Sequence, residues 1–233
     1  MSDEVKTEEV ASSTHALIIE LEYVATKKRQ VEFESIKSAV STKGVELTPV
    51  MFARSGMFPL HRAAITSVLK QAGKKADAIE KAVNEVDKTV ADFCANKAEL
   101  DKGLAKLIKA AQARDIPVLA FTALPEPIAI KLMDRLGLSD LGVELIIPDE
   151  VRESFPRADN WLKMLKKCGK DDSTLVAVVS SQTACKGALT AGAACIVVPD
   201  EYTVYQDFSG AKLVLDSLSD EKPNAILDLT LRM

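Results

Sequence analysis

The sequence predicts an α/β fold: a three-layer αβα core with a mostly parallel sheet between helices, and a helical subdomain inserted after the first strand. Two observations predict it. Short apolar runs recur along the chain, at ALIIE after His15, IPVLAFTA (116–123), VELIIP (143–148), TLVAVVSS (174–181) and AACIVVP (193–199), with helical patterns between them. Strands alternating with helices at this spacing form a parallel sheet covered on both faces, which makes the core Rossmann-like. The second observation is a stretch of about ninety residues between the first and second runs that carries almost no strand signal.

Each element follows in turn. Residues 1–14 are charged and lack apolar periodicity, so they read as a flexible leader. The run after His15 is a buried strand, and alternation along it sets Glu20 and Glu22 on one face at its carboxyl end. In the long stretch, Ile79, Val83, Val86, Val90 and Phe93 recur at helical steps. They form an apolar stripe whose simplest role is to pack the core of the insertion. Leu100, Leu104, Leu107, Ile108 and Ala111 mark a second helix. Gly137 and Gly169 are helix stops. AKLVLDSLSD gives a last short strand and a turn into a final helix. The domain reading is a leader at 1–14, a core at 15–26 and 100–233, and a helical subdomain at 27–99.

Composition excludes several classes. Of the 233 residues 47% are hydrophobic and 27% charged, which is globular usage, and no apolar run is long enough to span a bilayer. The start of the chain lacks the basic and apolar regions of a secretory signal, so a cytoplasmic protein is expected. A net charge of -4 leaves no basic footprint for nucleic acid. Cys94, Cys168, Cys185 and Cys195 fit no zinc or redox spacing and are read as reduced thiols. His15 and His61 make no metal site, and His61 is read as a satisfied or exposed side chain at a helix start. The pairs Lys27-Lys28, Lys74-Lys75 and Lys166-Lys167 are read as solvated faces.

Ligands of an open parallel sheet bind beyond the carboxyl ends of its strands. Four segments fall there: ELEYVAT, FTALP, SFPRADNW and VVSSQTACKGALTAGAA. In order and flanking residues they resemble the four-motif signature of the haloacid dehalogenase superfamily, in the branch of beta-phosphoglucomutase and phosphoglycolate phosphatase. The likeness extends over nearly the whole chain after the leader. The family's Asp-x-Asp-Gly motif stands here as Glu20-Leu21-Glu22-Tyr23, and its strand-ending Ser or Thr as Thr122. Its Lys-Pro-x-Pro-Asp stretch stands as Phe155-Pro156-Arg157-Ala158-Asp159. Its acidic pair, counted back from Ala191-Gly192, is Val179-Ser180.

The resemblance implies a phosphoryl-transfer site with a nucleophilic carboxylate, a second carboxylate as acid and base, and a magnesium ion, under a helical cap. The substitutions act against that chemistry. Glu20 is one methylene longer than the family residue, which displaces its oxygens by roughly an ångström, and such a shift can cost on the order of a hundredfold in rate. Glu22 keeps similar acidity. Ser180 is neutral where the family supplies a metal ligand, and Phe155 removes the family cation, leaving Arg157 as a weak phosphate contact. Thr122 offers one neutral hydrogen bond, about 1 kcal/mol. Ser180 and Ser181 otherwise read as turn residues bonding local backbone, Asp159 as orienting its helix and Trp161 as packing beneath it.

The expected function is that of a pseudoenzyme, a binding or regulatory module without cofactor, with a protein or a small phosphorylated molecule as partner. The alternative is a phosphatase or phosphotransferase with an altered mechanism through Glu20 or Glu22, and magnesium only in that case. Self-association into a homodimer through the helical insertion is a third expectation.

Overall fold

The computed structural model describes residues 15–147, 156, 158–167 and 174–231. Six strands, β1 (His15–Glu20), β2 (Val118–Phe121), β3 (Glu144–Ile146), β4 (Thr174–Val179), β5 (Ala194–Val197) and β6 (Leu213–Val214), pair in the order β3-β2-β1-β4-β5-β6. Every pairing is parallel, as the run pattern predicts. Leu17 and Ile19 of β1 face one apolar cluster while Ala16 and Ile18 face another, and Val176 and Val178 of β4 alternate with Leu175, Ala177 and Val179 in the same way. Both faces are covered, which is why these strands read as continuous apolar runs.

The helices begin and end where local chemistry dictates. α1 (Leu21–Val24) is a single turn directly after β1, followed by α2 (Lys28–Ser41), α3 (Pro49–Ser55), α4 (His61–Gln71) and α5 (Glu80–Asp92), which passes into a π-helical turn at Phe93–Lys97. Thr48 caps α3 by accepting from the Met51 amide at 3.2 Å, with Pro49 at the first helical position. α6 (Lys102–Gln112) is capped by Asp101, whose carboxylate accepts from the Leu104 amide at 2.8 Å. α7 (Glu126–Leu136) stops at Gly137, which takes the left-handed conformation expected of a helix-ending glycine. α8 (Ala158–Lys167), α9 (Gln182–Thr190) and α10 (Pro223–Leu231) complete the chain. Gly169 and Cys168 lie outside the described residues; Cys94, Cys185 and Cys195 are free and buried.

Between β1 and β2 the chain is helical, in keeping with the missing strand signal. Val83, Val86 and Val90 of α5 are buried and belong to the same core cluster as Phe33, Ile36 and Val40 of α2, so the stripe packs the interior of the insertion. Its two ends meet, the Asp101 amide donating to the Ala25 carbonyl at 2.9 Å. Phe33 of α2, Phe52 of α3 and Tyr202 after β5 form an aromatic trio with centroids 5.1–5.4 Å apart, which fixes α2 against the far side of the sheet edge.

One sequence expectation fails here. Glu22 does not share a strand face with Glu20, because β1 ends at Glu20 and Glu22 lies in α1. The chain turns at once to enter the insertion, with Leu21 and Val24 buried by that turn.

Trp161 is fully buried on α8, edge-on to Phe121 at 5.0 Å, and its Nε1 donates to the Pro156 carbonyl at 3.1 Å, as its packing role requires. It reaches this position because α9 presents Gly187: a Cβ there would stand 2.5 Å from the Pro156 carbonyl oxygen and 2.8 Å from Trp161 Cδ1. Alanine gains about 1 kcal/mol of helix propensity over glycine, but overpacking against backbone costs about 1–3 kcal/mol, and the clash wins. Gly187→Ala is expected to lower the melting temperature by several degrees, followed through the fluorescence of the single tryptophan; an unchanged or higher midpoint would show that this close approach is dispensable.

Candidate functional site

β1 lies at the centre of the sheet, the chain running outward through β2 and β3 on one side and crossing back to β4 on the other, so the crevice of this topology opens above its carboxyl end. Glu20 is the last residue of β1, Thr122 follows β2 and Ser180 follows β4, and the structure thus brings three predicted positions to one edge. A cavity of about 590 Å³ lies over them, lined among others by Glu20, Glu22, Lys28, Arg29, His61 and Leu124. The insertion forms one wall.

The floor holds a network of charges, with Glu20, Glu22, Lys28, Arg29 and Glu32 each at most 4% exposed. Glu20 Oε2 accepts from the Ser180 amide at 2.9 Å and from the Ser180 hydroxyl at 2.8 Å. Arg29, in the first turn of α2, donates from Nη2 to Ser180 Oγ at 2.9 Å and pairs through Nη1 with Asp200, which follows β5. Its guanidinium carbon lies 4.1 Å from the centre of the Tyr23 ring, a cation–π contact. Asp200 is itself oriented by the Tyr202 amide at 2.9 Å and the Thr203 hydroxyl at 3.1 Å. Burial works against the Arg29 charge, but Asp200 and Glu20 outweigh it and the group stays cationic. For Glu20, burial raises the pKa and prevails over the lowering pull of Arg29 and Ser180.

A second network adjoins the first. Lys28 pairs with Glu32 one helical turn on and donates to the Tyr23 hydroxyl at 3.3 Å. His61 joins Glu32 through Nε2 at 3.3 Å and Asp87 through Nδ1 at 2.6 Å. Burial pushes the Glu32 carboxyl up, yet Lys28 and His61 more than offset this and bring it down to about 2. Glu22 Oε1 accepts from the Ala123 amide at 3.0 Å, and Oε2, also buried, has no hydrogen-bond partner among the described residues. Burial raises its pKa, with Lys28 opposing.

The remaining predicted residues fall as follows. Thr122 is fully buried, and its hydroxyl accepts from the Leu124 amide at 3.0 Å instead of lining the cavity. Arg157 and Phe155 lie outside the described residues. Ser181 is a local cap, accepting from the Ala184 amide at 3.3 Å, but Ser180 is not a local turn residue, because its hydroxyl and amide bond Glu20 and Arg29 across the sheet edge. Lys27, Lys74 and Lys75 are exposed as expected. Lys28 contradicts the solvated-face reading: it is buried because Glu32 and Tyr23 supply partners that replace water. His61 is satisfied by two carboxylates, and Asp159 sits exposed in the first turn of α8.

Sequence reasoning missed Arg29, Glu32, Asp87 and Asp200. The i,i+4 spacing of Lys28 and Glu32 is visible in the sequence, but such pairs usually sit on exposed helix faces. Nothing local marks Arg29 or Asp200, which meet only across 171 residues of chain.

The residues present do not suit the magnesium ion that this kind of site implies. Magnesium takes carboxylates and waters in near-octahedral geometry. Here Glu20 Oε2 already accepts twice from Ser180, Ser180 is neutral, and a guanidinium donates to it. No group of three or more His, Cys, Asp or Glu side chains able to hold a metal occurs among the described residues.

No family model matches the chain. Protein CbbY of Cupriavidus necator is 29% identical over 124 residues, 52% of this chain and 49% of the relative, so the chain spans about half the length of that curated relative. Among solved structures, CbbY of Rhodobacter sphaeroides in complex with phosphate superposes with a TM-score of 0.69 at 21% identity, covering 88% of this chain and 95% of that one. A HAD hydrolase of family IA, variant 3, from Entamoeba histolytica gives a TM-score of 0.74 at 18% identity over 94% and 100% of the two chains. At these identities the likeness is one of fold.

The Glu32 network makes a prediction with a definite sign. Its folded pKa lies near 2, below the ordinary 4.5, so the stabilisation it gives is complete above the ordinary value and lost as pH falls toward 2. Glu32→Gln leaves Lys28 buried without its carboxylate, a change that costs about 3–5 kcal/mol at neutral pH. Urea unfolding of both proteins across pH 2–7 should show that deficit shrinking between about pH 4.5 and 2, since the other carboxylates titrate in both and cancel. A deficit independent of pH would remove the ion pair from the account.

Proposed function

We propose that this chain, whose fold is that of the haloacid dehalogenase-type hydrolases, has given up magnesium-dependent phosphomonoester hydrolysis and serves as a binding or regulatory module. The observation that carries this reading is the double hydrogen bond from Ser180 to Glu20 Oε2. In the resemblance, Glu20 holds the place of the attacking carboxylate and Ser180 that of a metal ligand. Here one is tied to the other, so a neutral serine engages a carboxylate oxygen of Glu20 where the family chemistry calls for a cation. Attack through the other oxygen would proceed without a metal to neutralise the transferring group, which raises the barrier beyond the cost of the extra methylene.

The cavity itself remains. Its polar floor and its apolar wall at Met57, Leu124 and Ile128 support the capture of a small molecule. Lys28 and Arg29 are committed to Glu32 and Asp200, and it is the exposed Arg54 in the lining that favours an anionic group such as a phosphate ester, held without being transferred. The insertion, standing as a helical cap beside the cavity, is the part through which a bound ligand would alter contacts with a protein partner or a second copy of the chain. A cytoplasmic setting without a resident cofactor accords with this reading; no helix among the described residues is long and apolar enough to cross a membrane.

The test is phosphate release from a broad panel of phosphomonoesters with magnesium present, compared with Glu20→Ala. Equal background rates in the two proteins are expected. Turnover by the unmodified chain above the variant would establish a working hydrolase and refute the module reading.

A further inference from the structure

We infer that the Arg29 guanidinium stands in for the divalent cation of this site, a built-in positive charge that neutralises the strand-end carboxylates and keeps metal ions out. The inference shares with the proposed function its assignment of Glu20 and Ser180 as counterparts of the family's metal-holding positions. It makes a separate claim, about what occupies the charge balance there.

Three features carry it. Arg29 is 3% exposed and reaches the two sides of the sheet edge at once: Nη2 bonds Ser180 Oγ at 2.9 Å, and Nη1 pairs with Asp200. Ser180 Oγ in turn bonds Glu20 Oε2 at 2.8 Å, so the positive charge acts on Glu20 through one intervening hydroxyl. The guanidinium is also fixed from a third direction, by the Tyr23 ring at 4.1 Å. A flexible surface arginine that swings in would not be held by an acceptor, a counter-ion and an aromatic face together. Guanidinium is always charged and donates in a fixed planar fork, so it can balance carboxylates as a metal does, but it offers no vacant coordination position. Another cation brought to Glu20 would meet a fixed guanidinium one hydroxyl away.

The substitutions at the two positions are therefore coupled. A serine at 180 suits an arginine at 29 because a hydroxyl both accepts from the guanidinium and donates to Glu20, which a carboxylate cannot do. With Ser180→Asp alone, the new carboxylate pairs with Arg29 and no metal site opens. Removing the guanidinium as well leaves Glu20, the new carboxylate and Asp200 facing a space without a cation.

The experiment is calorimetric titration and thermal melting of the full chain with magnesium chloride, for the unmodified protein, Ser180→Asp, and Arg29→Ala combined with Ser180→Asp. The first two should show no binding heat and no shift of midpoint at millimolar magnesium. The double variant should melt low without metal and recover by several degrees with it. Arg29→Gln with Ser180→Asp, which keeps an amide donor of similar reach, serves if the alanine version does not fold. Micromolar magnesium binding by the unmodified chain overturns the inference. So does equal binding by Ser180→Asp with Arg29 intact, or a folded double variant indifferent to magnesium. These readouts record metal binding alone, so metal-free turnover would refute the module reading while leaving the role of Arg29 standing.

Discussion

A guanidinium buried beneath a ligand cavity must find enough acceptors to replace its water, and the floor of this site is arranged around that demand. Arg29 has Asp200, Ser180 and the face of Tyr23. Each of these comes from a different part of the chain: the loop after β5, the end of β4 and the turn after β1. The aromatic trio of Phe33, Phe52 and Tyr202 holds α2 where Arg29 can reach them. Removing one partner of such a network is strongly destabilising because it leaves a buried charge unpaired. Packing of the insertion against the core and the electrostatics of the cavity are thus one constraint.

Much of the fold was legible in the sequence, for a physical reason. A parallel sheet covered on both faces writes its strands as apolar runs, and a helix packed on one side writes its stripe at helical steps. All six strands and the stripe of α5 follow from those two periods. The first turn of α2 was not legible in the same way, because its buried face carries Lys28, Arg29 and Glu32. Burial of charge is decided by partners distant in sequence, and no periodicity encodes them. The same holds for Glu22: alternation placed it on the strand, but the need to leave the sheet at once turned it into α1.

The candidate site was legible in part. Reading the strand ends located Glu20, Thr122 and Ser180 at one edge, with the neutral Ser180 where the resemblance places a metal ligand. What the residues alone could not give was the replacement. The motifs as they stand in the sequence read as a deficit of charge and of ligands, whereas the folded chain places Lys28 and Arg29 of the insertion, each paired with a carboxylate, beneath the cavity. Thr122, chosen for its hydroxyl, lies below the cavity and accepts from the Leu124 amide. The cavity is thus open above a floor in which Glu20 is held by Ser180.

The most direct measurement is a crystal structure determined after soaking in manganese, whose anomalous scattering locates a divalent ion without reference to activity. The account predicts no anomalous peak beside Glu20 and a guanidinium of Arg29 still bridging Ser180 and Asp200. A peak coordinated by Glu20, with Arg29 displaced from Ser180, would contradict it.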